Sequence, residues 1–125
     1  MLKSCKIIIK NFEIIVKLNS SLTAKKVWEA LPIISKANTW GNEIYFNAPV
    51  DVELEKNARE VIELGEIVFW PSGRVIAIGF GKTPISKKDE IKLVEKCNVW
   101  ANTTFDLKKL IDINSGEVIT VERVL

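Results

Sequence analysis

The chain has 125 residues, 47% of them hydrophobic and 27% charged, a length that suits one domain spanning 1–125 and an apolar share that argues against disorder. Its 18 basic and 16 acidic residues leave a net charge of +2 with no basic stripe to follow a phosphate backbone, so nucleic acid is not an expected partner. Lys25-Lys26, Lys87-Lys88 and Lys108-Lys109 are isolated pairs that read as solvated faces.

Two β-branched stretches, Ser4 to Lys10 and Phe12 to Leu18, meet at the polar joint Lys10-Asn11 and predict an opening hairpin. Ser20 and Ser21 then offer an N-cap to a helix in which Ala24, Val27, Trp28 and Leu31 recur on one face until Pro32. A second hairpin is expected from Ile33 to Thr39 and Glu43 to Asn47, turning near Trp40-Gly41-Asn42. Period two places Ile44 and Phe46 on one face and Glu43 and Tyr45 on the other.

From Leu54 to Ile62 the spacing of Leu54, Ala58, Val61 and Ile62 favours a helix, with a strand near Val61 as its competitor. Ile67 to Trp70 and Arg74 to Gly81 flank Trp70-Pro71-Ser72-Gly73, the strongest hairpin signal in the chain, with Gly73 placed to supply a left-handed residue. Ser86 to Lys96 is ambiguous between helix and strand, and Cys97 to Thr103 reads as extended. Asp106 caps a short helix carrying Leu107, Leu110 and Ile111, and Glu117 to Val124 alternates as a final strand. Many short strands with few helices point to a mainly β barrel or sandwich, its core including Ile8, Ile44, Phe46, Ile67, Ile78 and Phe80.

The longest apolar runs, Ile7-Ile8-Ile9 and Ile14-Ile15-Val16, fall far short of the about 20 residues of a membrane span. Lys3, Lys6 and Lys10 interrupt the N-terminus before a secretory signal could form, so the expected compartment is the cytoplasm and no membrane partner is expected. Cys5 and Cys97 accordingly read as reduced, buried thiols. Histidine is absent, which removes Ser-His and Cys-His catalysis and an ordinary structural zinc site; no metal and no cofactor are expected. Among acids, Glu43, Asp51, Glu53 and Glu66 could pair for acid-base work only if folding held two in one cleft. Of the four tryptophans, Trp28 and Trp100 are assigned to the core. Trp40 and Trp70 lie beside turns and suit either packing or a partly exposed aromatic surface.

Three blocks, Trp40-Gly41-Asn42-Glu43-Ile44-Tyr45-Phe46, Gly65-Glu66-Ile67-Val68-Phe69-Trp70-Pro71-Ser72-Gly73 and Phe80-Gly81-Lys82-Thr83-Pro84, resemble the signature blocks of a small prokaryotic cyclophilin-like barrel family of unknown function. Phe69 and Glu66 depart from the tyrosine and aspartate usual there. The resemblance implies a closed eight-stranded antiparallel barrel with two or three short helices. It does not carry prolyl isomerase activity across. True cyclophilins lower a rotational barrier of about 18–20 kcal/mol with a groove arginine. The corresponding stretch here, Ile33 to Thr39, holds Lys36 instead, and the glutamine and histidine of that groove occur nowhere in the chain.

The expectation is a non-catalytic module that binds a peptide or small molecule in an outer groove near Trp40, Glu43, Tyr45 and Trp70. No catalytic residue is assigned. The alternatives are a weak or divergent prolyl isomerase and a structural subunit of a multi-part amide-hydrolysing enzyme. Two aromatic walls and one carboxylate should prefer an apolar ligand bearing a donor or a positive charge to a phosphate.

Overall fold

A computed structural model of the chain describes residues 3–125. The opening stretches form β1 (Ser4–Ile9) and β2 (Phe12–Leu18), joined through Lys10 in a left-handed conformation and paired with Ile9 opposite Phe12. Ser21 caps α1 (Leu22–Ala30) by accepting from the Ala24 amide, and the helix buries Thr23, Ala24 and Val27. There follow β3 (Ile33–Lys36), β4 (Asn38–Thr39), β5 (Glu43–Asn47), β6 (Arg59–Ile62), β7 (Glu66–Trp70), β8 (Val75–Gly79) and the long β9 (Ile91–Asn102). A 3₁₀ helix (Leu107–Asp112), capped by Asp106, and β10 (Val118–Val124) end the chain.

All pairings are antiparallel, in the order β3-β10-β1-β2-β9-β7-β8-β5-β4, with β6 on β9 off that path. The strands make a nearly closed barrel. Its ends meet through the chain itself, because β3 and β4 are separated only by Ala37, whose amide and carbonyl bond to Glu117 and Gly116. Ten strands stand where eight were expected, since β6 is added and the 33–39 stretch is divided between two partners. Only Asn38–Thr39 pairs with β5, whereas Ile33–Lys36 pairs with β10, so the expected second hairpin is half of one.

Two cores result from the way β7 and β8 are buried. Ile67, Phe69, Ile76 and Ile78 point into the barrel, where they meet Ile7, Ile14, Phe46 and Trp100. The opposite faces of the same strands carry Val68 and Ala77, which pack outside the barrel against Ile62, Ile91, Leu93 and Cys97. Strand β9 serves both. Its end pairs with β7 with a register shift at Ile67/Val68, where Ala101 opposes Ile67 and Val99 opposes Val68. The extra residue of this bulge, Trp100, is fully buried in the barrel core. The first half of β9 runs on past the barrel, pairs with β6 and lays Ile91 and Leu93 over the outer face.

Several sequence expectations change here. Ile8 is half-buried on the outer side while Cys5, Ile7 and Ile9 face inward; three successive isoleucines contain no alternation from which to read the phase. The other expected core residues, Ile44, Phe46, Ile67, Ile78 and Phe80, are buried. The 54–62 helix does not form. Arg59 pairs with Glu66 and Glu60 with Lys92 at 3.2 Å, partners from elsewhere in the chain in place of the Glu55–Arg59 and Lys56–Glu60 pairs that a helix would make, and of Leu54, Ala58, Val61 and Ile62 only Ile62 is buried. Trp28 is not interior: it is half-buried, with Lys3 and Arg123 over its ring at 4.9 and 5.0 Å. Both cysteines are free and buried.

Asn98, 1% exposed, ties these layers together. Its Nδ2 donates to Thr23 Oγ1 at 3.0 Å and to the Glu53 carbonyl at 2.9 Å, while its Oδ1 accepts from the Glu55 amide at 2.8 Å. One side chain thus joins α1, the 53–55 segment and β9. Asn98→Ala leaves these partners unpaired in the interior and should cost about 2–4 kcal/mol in urea unfolding; a loss below about 0.5 kcal/mol would show that water replaces the amide.

Candidate functional site

The outer core is incomplete at one end, leaving a cavity of about 230 Å³ between the outer faces of β5, β7 and β8 and the overrunning half of β9. Trp40, Glu43, Tyr45 and Trp70, the four residues singled out from the sequence, all line it. Val75, Ala77, Leu93, Val94 and Cys97 complete the wall. The register explains how Glu43, Tyr45, Trp70, Val75 and Ala77 meet. Tyr45 lies opposite Ala77 and Trp70 opposite Val75, so alternation along β5, β7 and β8 sends these side chains to one face. Val75 and Ala77 could have been found from that alternation. Leu93, Val94 and Cys97 could not, because their place depends on the path of β9.

Both tryptophans are half-buried. The Trp70 indole lies over Gly73, where an added Cβ would overlap its six-membered ring, and its Nε1 donates to Glu95 Oε1 at 2.8 Å. Gly73 is therefore needed for close approach, while the left-handed turn residue is Arg74, at φ 51°. Trp40 leads into Gly41, which adopts φ 59° and whose added Cβ would stand 2.9 Å from the Lys82 carbonyl oxygen. The Trp40 amide donates to the Glu43 carbonyl at 2.9 Å, closing the turn before β5. The Trp70 ring and the Trp40 backbone are thus both anchored.

Glu43 is the exceptional group. It is 6% exposed, its Oε1 has no hydrogen-bond partner, and no lysine or arginine among the described residues pairs with it. Burial pushes its carboxyl up to about 7. Burial likewise pushes the Cys97 thiol up to about 12, with the charges of Glu43 and Glu95 adding to the effect, so Cys97 presents a neutral thiol rather than a thiolate. Of the other acids considered from the sequence, Asp51, Glu53 and Glu66 lie outside the cavity lining. Glu66 is engaged by Arg59, and Asp51 stands 3.8 Å from Arg74. No pair of carboxylates shares the cavity.

The raised carboxyl has a consequence for stability. Between pH 4.5, its ordinary value, and about 7, the unfolded chain has released a proton that the folded chain keeps. Stability therefore falls as pH rises through that window, by about 3 kcal/mol in all, and the loss is complete above about pH 7. Glu43→Gln removes this dependence. Its unfolding free energy relative to the natural chain should improve by about 2–3 kcal/mol between pH 5 and pH 8, read by urea titration at both; a difference that does not move with pH would place the carboxylate in water.

A family model described as cyclophilin-like matches residues 3–122. The solution structure of the hypothetical protein AF2241 from Archaeoglobus fulgidus is similar at a TM-score of 0.82 and 36% identity, covering 98% of this chain and 95% of that one. McbB, solved in complex with tryptophan, is similar in fold at a TM-score of 0.65 and 17% identity, over 95% of this chain and 44% of its own. No curated protein matches the chain.

Proposed function

Taking as its premise that the chain belongs to the cyclophilin-like family, we propose that it is a non-catalytic binding module whose outer cavity receives a small, largely apolar ligand or one side chain of a peptide. The observation that carries this reading is the cavity itself: an apolar, aromatic-walled recess whose lining includes one buried carboxyl, Glu43, with an oxygen that has no hydrogen-bond partner. Its size suits a small ligand. An apolar cavity of about 150 Å³ holds one benzene, so 230 Å³ accommodates a ring with a short arm.

The arginines support binding over isomerisation. Arg59 is held by Glu66, Arg74 sits in the β7–β8 turn near Asp51, and Arg123 donates to the Trp28 carbonyl at 2.9 Å. None lines the cavity, and Lys36 lies on β3, exposed and paired across to Val118. A polarising donor beside the aromatic wall, the element that prolyl isomerisation needs, has no counterpart there.

A fragment screen by NMR, read on the indole N–H signals of Trp40 and Trp70, should find small aromatic compounds that shift both. Tryptophan belongs in that screen because McbB was solved with it, although the likeness of fold says nothing of where it would sit here. Tyr45→Ala should weaken the hits about tenfold or more by removing one wall. Hits that bind the variant unchanged, or that shift only signals remote from the cavity, would refute the reading. Exchange NMR on a proline-containing peptide should show no acceleration of cis/trans exchange; clear catalysis abolished by Arg59→Ala, Arg74→Ala or Arg123→Ala would restore the isomerase alternative.

A further inference from the structure

The charges around the cavity are one-sided. Every ionisable group that lines it is an acid: Glu43 and Tyr45 on β5, and Cys97 on β9. Glu95, also on β9, is bound to the indole of Trp70 at its rim. The strands packed on the remaining sides, β7 and β8, contribute only Trp70, Val75 and Ala77. No lysine or arginine lines the cavity, so Glu43 has no internal partner for its charge.

We propose that the cavity is a site for an organic cation, in which the ammonium group of an apolar amine pairs with the Glu43 carboxylate while its body lies against Trp40, Tyr45 and Trp70. This rests on the reading of the cavity as a ligand pocket and goes further by assigning the ligand's charge. Three features carry it. A carboxylate removed from water is unfavourable by several kcal/mol unless a countercharge arrives with it, and the chain provides none. The faces of aromatic rings attract a cation, and more strongly once water is displaced. An anion, by contrast, would meet only acids, rings and apolar groups, with no donor of positive charge.

Binding is then linked to a proton. The empty cavity holds Glu43 protonated below about pH 7, and an ammonium group binds the ionised form, so its arrival releases that proton. Affinity for the cation must rise as the pH climbs through this range, whereas a neutral compound of the same shape should bind without that dependence. The linkage separates a charge partner from a simple hydrogen-bond donor.

Three compounds of similar size test it: 2-phenylethylamine, the neutral 2-phenylethanol and the anionic phenylacetate, titrated by NMR on the Trp40 and Trp70 indole signals. At pH 8 the amine should bind about tenfold or more tighter than the alcohol, with the anion weakest. Lowering the pH from 8 to 6 should weaken the amine about tenfold and leave the alcohol unchanged. Glu43→Gln should lose the tenfold preference of amine over alcohol and the pH dependence of amine binding. If the alcohol binds as tightly as the amine, or the amine is indifferent to pH and to Glu43→Gln, the cation assignment is wrong although the pocket stands. If none of the three binds at millimolar concentration the assignment is likewise wrong, and the pocket itself falls only if the wider fragment screen is also blank.

Discussion

Strands β7 and β8 are apolar on both faces, and a barrel can bury only one of them. Ile67, Phe69, Ile76 and Ile78 fill the interior, which leaves Val68 and Ala77 facing outward with nothing in the barrel to cover them. The chain resolves this by extending β9 beyond its barrel pairing and adding β6 beside it. Ile62, Ile91, Leu93 and Cys97 form the cover, each removing apolar area from water at about 25 cal/mol per Å². The bulge at Trp100 is what lets one strand belong to two layers: it inserts a residue into the barrel core and resets the phase of the side chains beyond it. Asn98, just before that point, binds the helix and the 53–55 segment to the same strand.

The cavity follows from where this cover stops. Leu93 and Cys97 pack with Ala77 of β8, and Trp40, Tyr45 and Trp70 wall the recess that remains. Glu43 falls at that margin, deep enough to lose its water and too far from any lysine or arginine to gain an ion pair. The barrel interior offers no comparable space, because Phe46, Phe69 and Trp100 fill it without measurable exposure. The cavity thus lies on the outside of the barrel wall.

Preorganisation of the walls distinguishes this recess from a chance defect in packing. The Trp70 ring is locked by Gly73 beneath it and Glu95 at its edge, and the backbone of Trp40 is held by the turn through Gly41. A ring fixed as Trp70 is loses little rotamer freedom on contact with another molecule. Glu43 is the opposite case. Its isolated carboxyl makes the folded chain less stable at neutral and alkaline pH, a burden that a bound cation would relieve.

Much of this was legible in the residues alone. Alternation along β5 separated Ile44 and Phe46 from Glu43 and Tyr45, and the Trp70-Pro71-Ser72-Gly73 turn identified the β7–β8 hairpin, because both are local consequences of backbone period and turn chemistry. Together they singled out Glu43, Tyr45 and Trp70, which line the cavity. Where local pattern was mute or misleading, tertiary contacts decided. Ile7-Ile8-Ile9 holds no phase, so only pairing with β2 and β10 turned Ile8 outward. The helical spacing from Leu54 to Ile62 gave way to a strand because Glu66 and Lys92 offered Arg59 and Glu60 partners from elsewhere in the chain. The burial of Glu43 was the least accessible feature: a residue on the outward face of a barrel strand is ordinarily solvated, and here it shares its recess with Leu93, Val94 and Cys97 of β9, some fifty residues later in the chain.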